Sequence, residues 1–514
     1  MKPRPTRREF LAEAGASAAI LALAGTGAIG AGPASESDAA SGGVAPGGKK
    51  VGRGPYLDAA RTFLDTLVDK GTDRYGKKHT PVFCLSLDPE TYSPPKPPAK
   101  VDWDYIRGFE YLNQDYGFYW KSHMHGSGLI YDQGTIRALY ALTEATGKPK
   151  YKKAADAYLD FFLDNLISPQ TGIFGWGEHI FYNVFADILI GGCFRVAGWH
   201  EYFYGHEFDR CAAIYDLFWE KSPEKTLAEI DAIYEYKIVD HDTFINNRHS
   251  DYFIGKTSDV FTFHKHTALF VHAFALAYSK TQDRKYLDWA RKSCDVFWKI
   301  RDPKTDLVSY CPQWPDDKSG GIEAFSVRAY MRAYQWHPDP MFLDRALAYM
   351  RAYQNHLAQP SGGQPRWAKT AALAYSLSGD DSFLKTADNI ISAIKPEQLH
   401  GGEIERSLIT SDVEELGDAL SAALDLYEMT ADTKYLAKAR EFADDAISNF
   451  LYKGLFVGHM RFNMDNYEGP KVKIYDARGS AGYLALNLIR LQRHVNATEA
   501  GKFKKTAALD RTCE

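Results

Sequence analysis

The sequence predicts an all-α protein, a closed (α/α) toroid of six or seven helical hairpins, and three features of its 514 residues lead there. An aromatic residue followed four positions later by alanine, just after a short polar turn, recurs as Tyr151/Ala155, Tyr286/Ala290, Phe342/Ala346, Phe383/Ala387 and Tyr435/Ala439. Stretches of helical period flank each copy, such as LIYDQGTIRALYALTEA before the first and TALFVHAFALAYSK before the second, so the repeated unit is an antiparallel helix pair. A further copy, Tyr56/Ala60, opens the folded part, while the last expected helix, near residue 478, has no successor with which to pair. Pairing the two ends closes a ring, which needs none of the polar caps of an open repeat array.

In chain order, residues 1–34 come first and carry Thr6-Arg7-Arg8-Glu9-Phe10-Leu11, then a weakly apolar, small-residue run. This pattern reads as a twin-arginine (Tat) export signal, cleaved near the alanines of residues 28–34 and not retained as an anchor. Residues 35–52, rich in Ser, Gly and Ala, read as a flexible linker, residues 53–495 as the toroid and 496–514 as a C-terminal tail. First helices of the hairpins are expected near residues 129, 181, 265, 321, 366, 412 and 478. Second helices are expected at the aromatic/alanine copies and at a degenerate one beginning at Leu227. Connections inside a hairpin are short, whereas those between hairpins are long, at about residues 77–127, 168–180, 238–264, 301–320, 357–366, 395–411 and 452–477. Because every hairpin turns the same way, all the long loops fall on one rim, where function on a rigid scaffold is usually built.

Composition narrows the classes of function. Hydrophobic residues make up 45% and aromatic residues 14%, ample for one large core and suited to a groove that stacks on sugar rings. A formal net charge of −5, with no basic run interleaved with aromatics, excludes the electrostatic footprint of a nucleic-acid binder. The six cysteines lack CxxC spacing, so neither a disulfide framework nor a cysteine zinc site is indicated. No cofactor is expected. A divalent metal held by His206-Glu207 with a loop histidine is the alternative, since His123/His125 and His264/His266 lie two apart and point differently on a helix.

The long loops hold the chemistry-bearing residues. One carries Trp176-Gly-Glu178-His179, and another carries Asn246-Asn247-Arg248-His249-Ser-Asp-Tyr252 and ends at His264-Lys-His266. Later ones carry Tyr310, Trp314, Glu403, Glu405, Arg406, Lys471, Lys473, Tyr475 and Arg478. β-Elimination of a uronic-acid polymer must remove a weakly acidic C5 proton. It needs donors that take charge off the carboxylate, a base for C5 and an acid for the departing oxygen. Asn247, Arg248, His249 and Tyr252 supply these types within six positions. The plainer explanation is local: turn hydrogen bonds from the asparagines, a solvated arginine, and a His and Tyr at a helix start. For Trp176 and Glu178 it is a packed indole and a helix-start carboxylate.

The DRYGKKHTPVF opening, the Gly-Trp-Gly-Glu-His loop and the Asn-Arg-His-Ser-Asp-Tyr loop, set on a hairpin toroid, resemble bacterial polysaccharide lyases of the glucuronan and alginate lyase group with an (α/α)7 barrel. That resemblance implies an exported enzyme, periplasmic or extracellular, acting on an acidic polysaccharide. It implies Asn247 as carboxylate neutraliser, His249 or His179 as C5 base, and Tyr252, Tyr310 or Tyr475 as acid. Trp176, Glu178, Arg248, His266, Trp314, Arg406, Lys473, Tyr475 and Arg478 are the expected substrate contacts. Two other readings stand beside it: a glycoside hydrolase on the same toroid using Glu178 with Glu403, Glu405 or Asp251, and a non-catalytic carbohydrate binder.

Overall fold

The computed structural model describes residues 53–94, 126–177, 180–191, 204–206, 213–247, 249–253, 255, 262–312, 321–358, 364–401, 412–461, 471–506 and 508–509. Residues 49–514 form one compact unit. The expected export signal and linker lie outside the described residues, and the helical repeats all belong to that unit.

Its helices alternate between two roles. In chain order they are α1 (Pro55–Lys70), α2 (Leu129–Thr146), α3 (Pro149–Asn165), α4 (Tyr215–Lys221), α5 (Pro223–Ala232), α6 (His264–Thr281), α7 (Arg284–Ile300), α8 (Ala324–Trp336), α9 (Pro340–Ala352), α10 (Pro365–Ser378), α11 (Asp381–Ala393), α12 (Asp412–Thr430), α13 (Thr433–Phe450) and α14 (Ala481–Glu499). The even-numbered helices form an inner ring in which each touches the next, and α14 packs against α2. At α4 the ring is closed onto α2 by the Arg137 guanidinium, which grips Asp216 at 2.6 and 3.0 Å, and by the Ile214 N–H donated to Gln133 Oε1 at 2.7 Å. The odd-numbered helices pack outside, with α1 completing the hairpin of α14. There the Tyr56 N–H reaches Gln492 Oε1 at 3.2 Å, joining residues 436 positions apart. The two ends therefore meet.

The recurrent aromatic/alanine sequence is the start of an outer helix. In α7, α9, α11 and α13 an aspartate, Asp283, Asp339, Asp380 or Asp432, caps the helix by accepting the N–H two residues on. The aromatic is then the third helical residue and the alanine the seventh, one turn apart on the buried face. Tyr286, Phe342, Phe383 and Tyr435 are at most 5% exposed, and Ala290, Ala346, Ala387 and Ala439 are 0% exposed. Before three of these helices the turn uses a left-handed residue, Gly379 (φ 70°) before α11 and Gln282 (φ 59°) and Ala431 (φ 60°) before α7 and α13, whereas the turn before α9 passes through extended His337.

Near residue 181 the structure departs from expectation. In place of a helix there is a hairpin of strands Ile180–Asn183 and Ile188–Gly191, and the inner position of that repeat is filled by the short α4. Asn183 Oδ1 accepts the N–H groups of Phe185 and Ala186 at 3.0 Å each, and Asp187 adopts φ 56°, so an Asx turn reverses the chain. The flanking Ile, Phe, Tyr and Leu residues suit strands. The described helices make seven pairs, within the expected six or seven, with one inner helix of only seven residues.

Short strands on the long-loop rim tie the loops together. β1 (Ser86–Leu87), β2 (Gly126–Ser127), β3 (Ile180–Asn183), β4 (Ile188–Gly191), β5 (Tyr204–His206), β6 (His249–Asp251), β7 (Leu451–Tyr452), β8 (Leu455–Phe456), β9 (Gly458–Arg461) and β10 (Lys471–Asp476) make small antiparallel sheets. Their orders are β1-β10-β9, β2-β3-β4, β5-β6 and β7-β8. Three of these sheets join loops from different repeats.

Candidate functional site

The N-terminal parts of α2, α8, α10, α12 and α14, with Ile214 just before α4, enclose a cavity of about 140 Å³. Its wall includes Tyr131, Gln133 and Arg137 of α2, Arg328 and Arg332 of α8, Lys369 of α10, Glu414 and Asp418 of α12, Arg478, and Tyr483 of α14. The placement follows the helical register. Gln133, Arg328 and Lys369 are each the fifth residue of their helix, while Arg137 and Arg332 are the ninth, one turn below. Helix N-termini converging on one space add partial positive charge to that of the side chains.

The ion pairs around the cavity determine its electrostatics. Lys369 Nζ lies 3.0 Å from Asp418 and donates to Tyr483 Oη at 2.5 Å, and the Tyr483 hydroxyl lies 3.0 Å from Ser421 Oγ. Burial alone would raise the Asp418 carboxyl, but the charges of Lys369, Arg328 and Arg366 hold it below the usual carboxylate range. Arg478, 6% exposed, is held by Asp476 through two bonds of 2.8 Å. Arg328 instead donates to the Arg366 carbonyl at 3.0 Å and Thr370 Oγ1 at 3.2 Å. Among the described residues it has no ion-pair partner, and its Nε–H meets no acceptor.

Of the residues singled out in the sequence, Arg478 lines this cavity, and Lys473 is exposed on β10 with its ammonium 4.5 Å from the centre of the Tyr452 ring. Tyr310 is half-buried, its ring edge-on to Phe263 at 4.6 Å. His249 is placed by its backbone in β6, directly opposite His206 of β5. Glu178, His179, Arg248, Trp314, Glu403, Glu405 and Arg406 lie outside the described residues, as do His123 and His125. No group of three or more His, Cys, Asp or Glu suited to a metal occurs among the described residues.

Several expectations are corrected by burial. Trp176 is 1% exposed and enclosed by Phe162, Phe174, Tyr215 and Phe218, so it packs the core and presents no face to a sugar. Tyr475, 0% exposed, packs on Phe63, and burial pushes its phenol far above its ordinary value; the hydroxyl stays protonated but is enclosed in the core, away from a substrate. Tyr252 sits in an apolar cluster with Ile173, Ile180 and Ala232, its phenol likewise raised by burial. His266 is buried in the first turn of α6. Asn247 is also buried, its N–H bonded to the Lys237 carbonyl at 2.8 Å, so it can orient the residues after it and cannot touch a substrate. Asp251 is buried too, its carboxylate accepting the Phe253 N–H at 2.8 Å, which removes it from a hydrolytic pair.

Two buried groups hold the loops in place and are not evident from the sequence. Glu229 of α5 accepts the Phe174 N–H at 2.7 Å, fixing the loop that leads to residues 178 and 179. Burial pushes its pKa up to about 8, against the opposing pull of that N–H and of the Trp176 indole. His264 lies 2.6 Å from the Gly321 carbonyl through Nδ1, and burial lowers its pKa to about 4, so it is a neutral structural histidine.

With the cavity and the rim in place, similarity to known proteins becomes informative. Residues 112–319 match the periplasmic pectate lyase family. A stretch of 140 residues is 26% identical to the pectate disaccharide-lyase of Dickeya dadantii, covering 27% of this chain and 24% of that protein. These similarities are polysaccharide-lyase-like and leave the polymer open. Among solved structures, the α-1,6-mannanase of Salegentibacter sp. HEL1_6 is 10% identical with a TM-score of 0.40, covering 85% of this chain and 100% of that one. Cellobiose 2-epimerase of Bacillus thermoamylovorans is 12% identical with a TM-score of 0.41, covering 85% and 99%. At such values nothing about the reaction follows from them. No helix among the described residues is long and apolar enough to cross a membrane.

Proposed function

We propose that this protein is an exported polysaccharide lyase that cleaves a uronic-acid polymer by β-elimination. The observation that carries the reading is that the stretch resembling periplasmic pectate lyases, residues 112–319, contains His179, Arg248, His249 and Tyr310. The cation-rich cavity lies under the same rim. In the reaction a base takes the C5 proton, the C4–O4 bond breaks as the C4=C5 double bond forms, and an acid returns a proton to the departing oxygen. Arg248 and His249 are assigned the carboxylate charge and the C5 proton, with His179 as the alternative base. Tyr310 is assigned the acid, being the one of the three candidate tyrosines that retains partial exposure. Pectate becomes the first polymer to test, ahead of glucuronan and alginate.

The test is incubation of the mature protein with pectate, glucuronan, alginate, hyaluronan and chondroitin while ultraviolet absorbance is followed. A lyase generates the absorbance of an unsaturated uronate. New reducing ends without that absorbance would establish the hydrolase, and binding without cleavage the carbohydrate binder. On the polymer cleaved best, His249→Ala is expected to lower turnover about 10²- to 10⁴-fold with little change in thermal stability. Near-normal turnover would move the base to His179.

A further inference from the structure

Resting on the reading of the protein as a uronate lyase, we propose that the cavity inside the ring is a carboxylate-recognition subsite, in which Arg328 receives the acid group of one sugar residue of the polymer. Arg328, Arg332, Lys369, Asp418, Arg478 and Tyr483 lie outside residues 112–319, whereas Tyr131, Gln133 and Arg137 lie within them, so both parts of the ring build the cavity and its proposed anchor comes from outside the pectate-lyase-like stretch.

Charge is the first support. Five cationic side chains line the cavity against two carboxylates. Arg137, Lys369 and Arg478 are already matched by Asp216, Asp418 and Asp476. Arg328 is hydrogen-bonded only to a carbonyl and a hydroxyl oxygen, and the nearby Asp418 carboxylate, whose field it shares, is paired with Lys369. Its Nε–H is buried without an acceptor among the described residues, so the protein itself uses only part of the guanidinium's hydrogen-bonding capacity. A planar guanidinium suits a carboxylate, whose two oxygens it can engage together.

Geometry is the second support. The neighbouring Lys369 ammonium, tied to both Asp418 and Tyr483, is fixed in place, so the cavity is preorganised and its charges need not rearrange on binding. Tyr131 and Tyr483 provide ring surface beside the charges, the mixture of apolar wall and few polar anchors that a sugar acid requires. At about 140 Å³ the space is smaller than the ~300 Å³ at which drug-sized sites begin, which fits one sugar unit rather than a length of polymer.

The experiment measures binding and catalysis separately. Calorimetry with trigalacturonate and its methyl ester gives the preference for free acid, and steady-state kinetics on the polymer cleaved best gives KM and kcat. Arg328→Gln keeps donors for the Arg366 carbonyl and removes the charge. It is expected to weaken trigalacturonate binding and raise KM about 10- to 100-fold, to leave kcat within a few-fold, and to erase the preference for acid over ester. Arg328→Lys should restore part of that preference, which distinguishes lost charge from a disturbed fold, and circular dichroism melts check the fold directly. Unchanged affinity and KM in Arg328→Gln, with wild-type lyase activity intact, would overturn the subsite and leave the lyase reading standing. Tight, acid-selective, Arg328-dependent binding by a protein that cleaves no uronate polymer would keep the subsite and overturn the lyase.

Discussion

At the scale of single residues, burial decides which polar side chains serve the fold. Glu229 illustrates the linkage. Its folded pKa, about 8, lies above that of an exposed glutamate, so the unfolded chain releases its proton first as pH rises. The stability this residue contributes is therefore complete below about pH 4.5, declines as pH rises towards 8, and is then flat. Glu229→Gln keeps an acceptor for the Phe174 N–H and removes the ionisation. Relative to wild type the variant should gain stability between pH 5 and pH 8, on the order of 2–4 kcal/mol, read from denaturant midpoints at each pH. A constant difference across that range would mean that Glu229 titrates normally. The same consideration explains how much of the site was legible in the sequence. Residue type and loop position single out Arg478, but they cannot show that Trp176, Tyr475 and His266 point inward, because a long loop on the rim also supplies core side chains. Arg328, Arg332 and Lys369 were missed because they lie on inner helices rather than in loops. Their signal is a cation at the fifth or ninth residue of an otherwise apolar helix, which is visible only once the helix starts are known.

At the scale of elements, the repeat was legible because it is written in local chemistry: a capping aspartate, an aromatic at the third helical position and an alanine at the seventh. The hairpin β3–β4 was not, since an apolar run of that length fits either state and is settled by the Asx turn at Asn183 and by pairing of β3 with β2 from another loop. The caps yield a graded prediction. Asp432→Ala removes the acceptor of the Lys434 N–H at 2.9 Å and should cost about 1 kcal/mol. Asp339 caps α9 in the same way, yet it is 6% exposed and also holds Arg291 at 2.6 Å. Asp339→Ala should therefore cost more, about 1.5–2 kcal/mol, because it also loses a charge-assisted bond to Arg291, whose half-exposed guanidinium is then left to solvent. Urea denaturation of the two variants checks the ranking, and equal losses would show that the Arg291 contact contributes nothing.

At the scale of the whole molecule, what distinguishes this ring from an open stack is the contact between the last inner helix and the first. α14 and α2 cross with glycines facing each other's backbone: a methyl group built on Gly134 would meet the Tyr483 nitrogen at 2.6 Å, and one built on Gly482 would run into the backbone of Thr135. Opposing effects then compete in Gly482→Ala. Within a helix, alanine is favoured over glycine by about 1 kcal/mol. Against that, the added methyl strikes main chain rather than the end of a flexible side chain, so the two helices must separate at the point where Tyr131, Gln133 and Tyr483 line the cavity. Overpacking of this kind costs typically about 1–3 kcal/mol, and here the whole closure shifts with it, so the clash should win and the variant should unfold at lower temperature. Gly417→Ala in α12 is the matched control. Its methyl would meet Leu484 at 3.6 Å, ordinary contact distance, so only the propensity gain remains and the melting temperature should hold or rise. If the two substitutions shift the melting temperature alike, close packing of α14 on α2 is not what holds the ring shut. If Gly482→Ala alone destabilises and also raises KM for the polymer, closure and the cavity are one structural unit.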